Sequence, residues 1–128
     1  MEKIGMKESK LKKNILIAED EDINFKYLSA ILEMNNFNVF HASNGLEAID
    51  MALNAAIDIV FMDIKMPGLN GYEATRKIRA YRPEMPIIAV SAFTLDEHKK
   101  LSIESGINEY ISKPFSESTI IETLQRYL

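Results

Sequence analysis

Short apolar segments alternate with helical patterns along the chain, and this alternation limits the fold more than any other feature of the sequence. Nearly continuous apolar runs are typical of strands that are buried on both faces of a parallel sheet. The runs that we interpret as strands span residues 15–18, 38–40, 57–62, 86–90 and 109–111. Between and after them, apolar residues recur at helical spacing. This spacing predicts helices over residues 22–35, 45–54, 71–81, 95–105 and 117–127.

The order is therefore a strand followed by a helix, repeated five times. Strict alternation predicts an α/β fold, in which right-handed crossovers place helices on both faces of one doubly wound parallel sheet. In such a sheet the working site lies beyond the carboxyl ends of the strands, at the switch point in strand order. This rule selects the residues at the strand ends as candidates for function.

Local signals agree with these helix limits. Three pairs have the spacing of a capping box, namely Asn44 with Glu47, Asn70 with Glu73, and Thr94 with Glu97. Asp22 and Ser116 are expected to cap the first and last helices, and Gly106 to end the fourth. On the first helix one apolar stripe consists of Ile23, Tyr27, Ile31 and Met34, and Leu28 and Leu32 flank it. The corresponding stripe of the second helix consists of Leu46, Ile49 and Leu53.

Composition excludes several classes of protein. The 128 residues suffice for one domain, and 47% of them are hydrophobic, enough for one core. Cysteine is absent, which excludes disulfides and cysteine-based zinc sites. His41 and His98 are far apart in sequence, so a histidine-based transition-metal site is not expected. No apolar run approaches the roughly eighteen residues of a membrane span, and no secretory signal is visible, so we expect a cytoplasmic location.

Charge divides the chain into a basic leader and an acidic body. Residues 1–13 carry five lysines and two glutamates, whereas residues 14–128 carry ten basic and seventeen acidic side chains. We interpret residues 1–13 as a basic leader or linker and residues 14–128 as the domain. An acidic body argues against direct binding of nucleic acid, whose phosphates require a basic surface.

Acidic, hydroxyl and ammonium groups follow four of the five strands. Glu19 and Asp20 follow the first strand, Asp63 the third, Ser91 the fourth and Lys113 the fifth. Clustered carboxylates repel one another unless a cation intervenes, and an all-oxygen set suits Mg²⁺ or Mn²⁺. Such a site suits phosphoryl transfer, where catalysis consists mainly of positioning and charge neutralisation.

The sequence contains no nucleotide-binding glycine motif, so a side chain must receive the phosphoryl group. Asp63 is the candidate, because a carboxylate can act as a nucleophile and form an acyl phosphate. Taken singly, each of these residues has a plainer interpretation as a helix cap or a turn residue. Their joint placement at one edge of the sheet is what indicates function.

The chain resembles the receiver domain of two-component response regulators, with its chemotaxis-regulator-like fold. The resemblance covers about residues 14–128 and depends on four motifs in the order and spacing of the family. They read ILIAED at 15–20, FMDIKMPGLNG at 61–71, VSA at 90–92 and YISKPF at 110–115. It implies a flavodoxin-like strand order of 2-1-3-4-5 and a cis bond between Lys113 and Pro114.

The resemblance also implies a role for each site residue. Asp63 is similar to the phosphoacceptor, and Lys113 to the ion-pair partner of the phosphoryl group. The Mg²⁺ ligands implied are Asp20, Asp63 and the backbone carbonyl of Lys65, with Glu19 acting mostly through water. Ser91 and Tyr110 resemble the switch residues. Lys65 and Phe93 occupy positions that tune dephosphorylation, and the positive charge of Lys65 and the bulk of Phe93 predict a long-lived phosphorylated state.

The implied partners are a histidine kinase or histidine phosphotransfer domain, which docks near the first helix, and a downstream protein of unknown identity. The implied output face includes Phe93, His98, Leu101 and Tyr110. As an isolated domain the chain is not expected to be an enzyme, although it would promote its own phosphorylation and dephosphorylation. Glu19-Asp20 followed by Asn24 is similar to receivers of hybrid histidine kinases.

Three other functions fit the sequence less well. A receiver-like interaction module that is never phosphorylated would not need the intact set of acids, hydroxyl and lysine. An aspartate-nucleophile phosphatase could use Asp20-Glu21-Asp22, but Asp63 and Lys113 would then be coincidences. A flavin-binding electron carrier would need a phosphate-binding loop after the first strand, and the loop here is acidic.

Overall fold

The computed structural model describes residues 12–92 and 96–128, and in these ranges it contains five strands and five helices in strict alternation. The strands are β1 (Asn14–Ala18), β2 (Asn38–Ala42), β3 (Ile59–Asp63), β4 (Ile87–Ser91) and β5 (Glu109–Ser112). The helices are α1 (Asp22–Met34), α2 (Gly45–Asn54), α3 (Gly71–Tyr81), α4 (Asp96–Ser105) and α5 (Glu117–Tyr127). Each expected element is present within one or two residues of its expected limits. Most of the basic leader, residues 1–11, lies outside the described residues.

All five strands are parallel and form one sheet in the order β2-β1-β3-β4-β5. The order confirms the doubly wound, flavodoxin-like fold. The crossover from β1 to β2 runs one way across the sheet, and the crossover from β2 to β3 runs back past β1 in the other direction. Ile17 in β1 is in register with His41 on one side and with Phe61 on the other. The switch point is therefore at the carboxyl ends of β1 and β3, where Glu19 and Asp63 lie.

Alternating side chains of the strands form two cores, one on each face of the sheet. Ile15 and Ile17 belong to the core that includes Leu28, Ile31 and Leu32 of α1 and Ile120 and Leu124 of α5. Leu16 and Ala18 belong to the core on the opposite face, which includes Ala48 and Ala52 of α2 and Ile78 of α3. Every residue of β3 and β4 is buried. The near-continuous hydrophobicity of these strands follows from burial on both faces.

The expected stripes of α1 and α2 were right only in part, because Ile31 is buried and Ile49 packs against the core while other members are exposed. Leu28, Ile31 and Leu32 are the buried hydrophobic residues of α1, whereas Ile23 is 82% and Tyr27 51% exposed. On α2 the small residues Ala48 and Ala52 face the sheet, and Leu46 is 71% exposed. The start of α2 also lies close to the β3–α3 loop, because a Cβ at Gly45 would lie 2.4 Å from the carbonyl oxygen of Leu69.

Most of the expected helix ends are confirmed. Asn70 and Glu73 form a reciprocal capping box on α3, and the Asn44 side chain accepts a hydrogen bond from Glu47 N–H. Ser116 caps α5 through the N–H of Thr119. Gly106 has a φ of +101° just after α4, a conformation that favours glycine at the end of a helix.

The expected cap of α1 was wrong. Glu21 occupies the N-cap position without a side-chain cap, and Asp22 is the first helical residue. An acid there still interacts favourably with the positive end of the helix dipole. Thr94 lies outside the described residues. Over the described ranges, none of the helices combines the length and the apolar character that crossing a bilayer requires.

Candidate functional site

The carboxyl ends of β1, β3, β4 and β5 bring the expected site residues to one edge of the sheet. A single open cleft of about 590 Å³ is lined by Asp20, Asp63, Lys65, Ser91 and Lys113, among others. Asp63 and Ser91 are the last residues of β3 and β4 and are buried, whereas Asp20 in the turn after β1 is exposed. The expected cis peptide bond between Lys113 and Pro114 is present.

Lys113 bridges two buried carboxylates at the centre of this cleft. Its Nζ donates to Glu19 Oε1 at 3.0 Å and to Asp63 Oδ2 at 3.1 Å. Glu19 is 5% and Asp63 7% exposed, so both ion pairs are shielded from bulk water. Burial alone would lower the pKa of Lys113, but the two acids outweigh that effect, and the pKa lies above its ordinary value. The ammonium is therefore a fixed positive charge beside Asp63.

The two acids share one cation, and this leaves Glu19 short of compensation. Burial, reinforced by the neighbouring Asp63 carboxylate, raises the pKa of Glu19 from 4.5 to about 7, although Lys113 acts in the opposite direction. A raised carboxyl pKa of this kind indicates that Lys113 alone does not supply enough positive charge for both acids.

The backbone around β3 fixes the Asp63 carboxylate. Asp63 Oδ1 accepts a hydrogen bond from the N–H of Lys65 at 2.9 Å, so each carboxylate oxygen has a defined partner. Gly71 at the start of α3 packs on the main chain of this segment. A Cβ there would lie 2.5 Å from the carbonyl oxygen of Asp63 and 2.8 Å from the Cα of Ile64. Only glycine allows α3 to begin so close to the carboxylate.

Three acids at this edge have the arrangement that a hard divalent cation requires. One carboxylate oxygen from each of Glu19, Asp20 and Asp63 lies within 4.8 Å of the other two. All three ligands are oxygens, and Asp20 faces solvent, which leaves positions for water. Mg²⁺ prefers such sites because it retains several waters and binds one or two carboxylates. The raised pKa of Glu19 fits the same conclusion, since a cation would relieve the repulsion.

Ser91 and Tyr110 lie on neighbouring strands beside the cleft. Ser91 is 2% exposed at the end of β4, and Tyr110 in β5 is in register with Ala89. The Tyr110 hydroxyl is buried, and within the described part of the chain it has no hydrogen-bond partner. Burial raises the pKa of this phenol, while the nearby Ser91 hydroxyl opposes the shift.

Two of the expected functional side chains, those of Phe93 and His98, lie outside the described residues. Lys65 is exposed at the mouth of the cleft, and Leu101 of the expected output face is 43% exposed on α4.

A second cavity, on the α1 side of the site, was not expected. It has a volume of about 310 Å³ and is lined by Leu28, Phe61, Lys113 and Phe115, among others. Tyr27 covers it by stacking on Phe115, with ring centroids 5.5 Å apart, and its hydroxyl donates to the Phe115 carbonyl. The exposure of Tyr27 shows why the α1 stripe was misplaced, since its partner is a loop that lies 88 residues further along the chain.

No role was expected for His41, although the sequence places it with Ala42 and Ser43 at the end of the second strand. Its Nε2 lies 2.8 Å from the carbonyl oxygen of Glu19, and its ring stacks on Phe25. The sequence alone does not predict this hydrogen bond.

Comparison with known proteins identifies the family. The sequence model of the response regulator receiver domain matches residues 15–125, most of the chain. This chain belongs to the response regulator receiver domains. It is thus a receiver domain of two-component signalling, and the family expected from the four motifs is confirmed.

Curated relatives of similar length support this assignment. The receiver domain is 34% identical over 118 residues to the polar-differentiation response regulator DivK of Brucella anthropi. The alignment covers 91% of this chain and 96% of that relative.

Solved structures agree with the fold. The receiver domain of a sensor histidine kinase from Pseudomonas aeruginosa is 33% identical, with a TM-score of 0.85 and coverage of 91% of this chain and 97% of that one. That protein holds a magnesium ion coordinated in its active-site cleft. The receiver domain of a Saccharomyces cerevisiae response regulator is 27% identical, with a TM-score of 0.84 and coverage of 91% and 88%. It was crystallised with a histidine phosphotransfer signalling protein.

Proposed function

We propose that this receiver domain accepts a phosphoryl group on Asp63 from a phosphohistidine of a partner protein, in a reaction that depends on Mg²⁺. The observation that carries the proposal is the pairing of a buried Asp63 carboxylate with Lys113 at 3.1 Å, inside a cluster of three acids. Neither group is needed for the fold alone, because burying two acids beside one lysine costs free energy that an apolar pair would not.

Glu19, Asp20 and the Asp63 side chain would hold Mg²⁺ together with the backbone carbonyl of Lys65. When bound, the ion supplies positive charge that offsets the repulsion between an incoming phosphoryl group and the acids. Groups of this chain itself carry out the phosphoryl transfer.

In the transfer step, a carboxylate oxygen of Asp63 attacks phosphorus in line with the bond to the imidazole nitrogen. The P–O bond to Asp63 forms while the P–N bond breaks, and the imidazole leaves with the electron pair of that bond and takes up a proton. The N–H of Lys65 holds the carboxylate in place at 2.9 Å, so little reorganisation is required. Lys113 supplies a fixed charge for the phosphoryl oxygens, which is the main contribution a protein makes to this chemistry.

The phosphorylated site would act on β4 and β5. A phosphoryl group adds nearly two negative charges and strong acceptor oxygens, which Ser91 and Lys113 can contact. The Tyr110 hydroxyl is buried beside the Ser91 hydroxyl, so a movement of Ser91 toward the phosphoryl group would change the surroundings of that side chain. New contacts at Ser91 therefore shift the arrangement of β4, α4 and β5, and this face signals to a downstream protein.

The central experiment compares the wild-type domain with Asp63→Asn. Each is incubated with Mg²⁺ and acetyl phosphate and then analysed by intact mass. We expect one phosphoryl adduct in the wild type and none in the variant, and Mg²⁺ removal with EDTA should abolish the adduct. Beryllofluoride should shift the amide NMR signals of Ser91 and Tyr110 in the wild type. An unmodified wild type that also gives no NMR response would refute the proposal and favour an interaction module that is never phosphorylated.

The donor would dock on the exposed part of α1 beside the acidic turn. Ile23 is 82% exposed there without a packing partner in the cores, and Tyr27 with Phe115 extends the apolar surface toward the cleft. A neighbour of known structure was crystallised with a histidine phosphotransfer protein, which supports a partner of this class.

We expect Ile23→Ser to slow phosphotransfer from a phosphohistidine protein while leaving labelling by acetyl phosphate unchanged. Leu46→Ser is the matched control, because Leu46 is similarly exposed at 71% on α2. Equal slowing of both donors by Ile23→Ser would contradict docking on α1 and indicate a damaged site.

A further inference from the structure

His41 lies outside the site, on β2, and its side chain contacts the acidic turn after β1. It is half-buried near the end of β2, and its Nε2 lies 2.8 Å from the carbonyl oxygen of Glu19. We propose that His41 is a positioning residue that fixes the β1–α1 turn and thereby raises the affinity of the site for Mg²⁺. The inference rests on the proposed function, since it concerns the same metal site.

The hydrogen bond replaces one that the strand cannot supply. The main-chain ladder between β1 and β2 reaches Glu19, whose N–H donates to the carbonyl of Ala42 at 3.0 Å. Beyond Ala42 the chain turns toward α2, and among the described residues no main-chain N–H donates to the Glu19 carbonyl. The His41 side chain therefore supplies a donor to the Glu19 carbonyl at the point where β2 turns away. Without it, this half-sheltered carbonyl would lose its defined partner.

The partner of the imidazole also fixes its tautomer. A carbonyl oxygen can only accept a hydrogen bond, so Nε2 must carry the proton. The hydrogen bond is therefore directional and holds the Glu19 peptide plane in one orientation.

A second contact extends the support to the start of α1. The His41 ring stacks on Phe25, with centroids 3.7 Å apart and planes 13° from parallel. Phe25 N–H donates to the carbonyl of Glu21, so its main chain belongs to the first turn of the helix. His41 thus contacts both sides of the turn that carries Asp20.

Orientation of this turn determines where two of the three acids point. The Glu19 carboxylate is held at one oxygen by Lys113 and at the other by the N–H of Glu21 at 3.2 Å. Rotation of the Glu19 peptide would shift this N–H and the Asp20 side chain together. Groups that hold metal ligands in place from outside typically change metal affinity by roughly 10- to 100-fold.

The competing explanation is that His41 only packs between β2 and α1. In that case its replacement would lower the stability of the fold without a specific effect on Mg²⁺. The two explanations differ in whether metal affinity depends on the N–H donor or on the filled space.

Four variants separate these explanations. His41→Phe keeps an aromatic ring on Phe25 but lacks the donor, and His41→Leu also lacks it. His41→Gln restores an amide N–H at a similar reach. Val39→Ala is the matched control for packing, because Val39, two residues earlier on β2, is partly buried against the core that includes Ile15 and Ile17.

Mg²⁺ affinity is measured by calorimetry or NMR titration, and stability by urea denaturation in EDTA. Each titration is made under conditions in which circular dichroism shows the variant folded.

We expect His41→Phe and His41→Leu to bind Mg²⁺ about tenfold more weakly, at the lower end of the range for supporting groups. His41→Gln should recover most of that loss. Val39→Ala should lose stability and keep wild-type affinity. Wild-type affinity in both donor-less variants, or an equal loss in Val39→Ala, would overturn the role of His41 while leaving the proposed function intact. A wild type that binds no Mg²⁺ would overturn the proposed function and the inference together.

Discussion

The charge of Glu19 should make the metal-free receiver domain less stable as the pH rises. The pKa of Glu19 is raised to about 7 in the folded state, against 4.5 without the fold. Because the folded state binds the proton more tightly, unfolding releases it, and the free energy of unfolding falls as the pH rises between those two values. Below pH 4.5 this group makes no difference to stability, and above pH 7 its full cost is present.

The size of the effect follows from the same two values. Each pH unit between the two pKa values lowers the free energy of unfolding by about 1.4 kcal/mol. The total cost at pH 8 is therefore about 3 kcal/mol. This is an upper estimate, because Glu19 shares Lys113 with Asp63. That is a sizeable part of the roughly 5–15 kcal/mol by which a domain is stable.

Glu19→Gln tests this reasoning directly, because glutamine has the shape of the protonated acid and cannot ionise. At pH 5, where Glu19 is mostly protonated in the folded state, the free energies of unfolding of the variant and the wild type should differ by less than about 1 kcal/mol. At pH 8 the variant should be more stable by up to about 3 kcal/mol. The assay is urea denaturation followed by circular dichroism at pH 5, 6.5 and 8 with EDTA present.

Mg²⁺ should reverse the order of stability at pH 8. The ion binds the folded wild type and stabilises it by mass action, whereas Glu19→Gln has lost one acid of the cluster. A difference between the two proteins that stays constant with pH, or a variant that is less stable at pH 8 in EDTA, would refute the account of Glu19.

Two further predictions concern the lifetime of the phosphorylated state and the start of α3. Lys65→Ala and Phe93→Ala should each shorten the half-life of the phosphorylated state, because a smaller side chain admits the attacking water. The half-life is measured by loss of the adduct after the donor is removed, and unchanged half-lives would contradict this role. Gly71→Ala should destabilise the domain by about 1–3 kcal/mol and slow labelling by acetyl phosphate about tenfold or more, since its Cβ would meet the Asp63 carbonyl at 2.5 Å. Gly106→Ala, strained at a φ of +101° but away from the cleft, should lose stability and keep its labelling rate.

Much of the fold could be predicted because the decisive signals are local. Alternation of apolar runs with helical spacing determined the five strands and five helices. The cap of α3 followed from Asn70 and Glu73, which find each other within one turn. The cluster at the strand ends followed from topology alone, because parallel strands that alternate with helices all end at one edge of the sheet.

The errors occurred where distant residues decide the outcome. Periodicity gives the spacing of apolar residues on α1 but not which of two adjacent stripes faces the sheet. Leu28 and Leu32 face it, while Ile23 and Tyr27 lie at the surface beside the acidic turn. The hydrogen bond of His41 to Glu19 depends on where β2 turns away, which no short pattern in the sequence specifies.

The distribution of the site along the chain has a consequence for newly made protein. The ion pair between Glu19 and Lys113 joins residues that are 94 positions apart, and Asp63 lies 50 positions before Lys113. A growing chain that has completed only β1 to β4 therefore holds the acids without their lysine. The cleft cannot assemble until the last strand has joined the sheet, so partly synthesised or partly folded copies would be poor acceptors. If Asp63 is the acceptor, the domain becomes competent for phosphorylation only after β5 has joined the sheet.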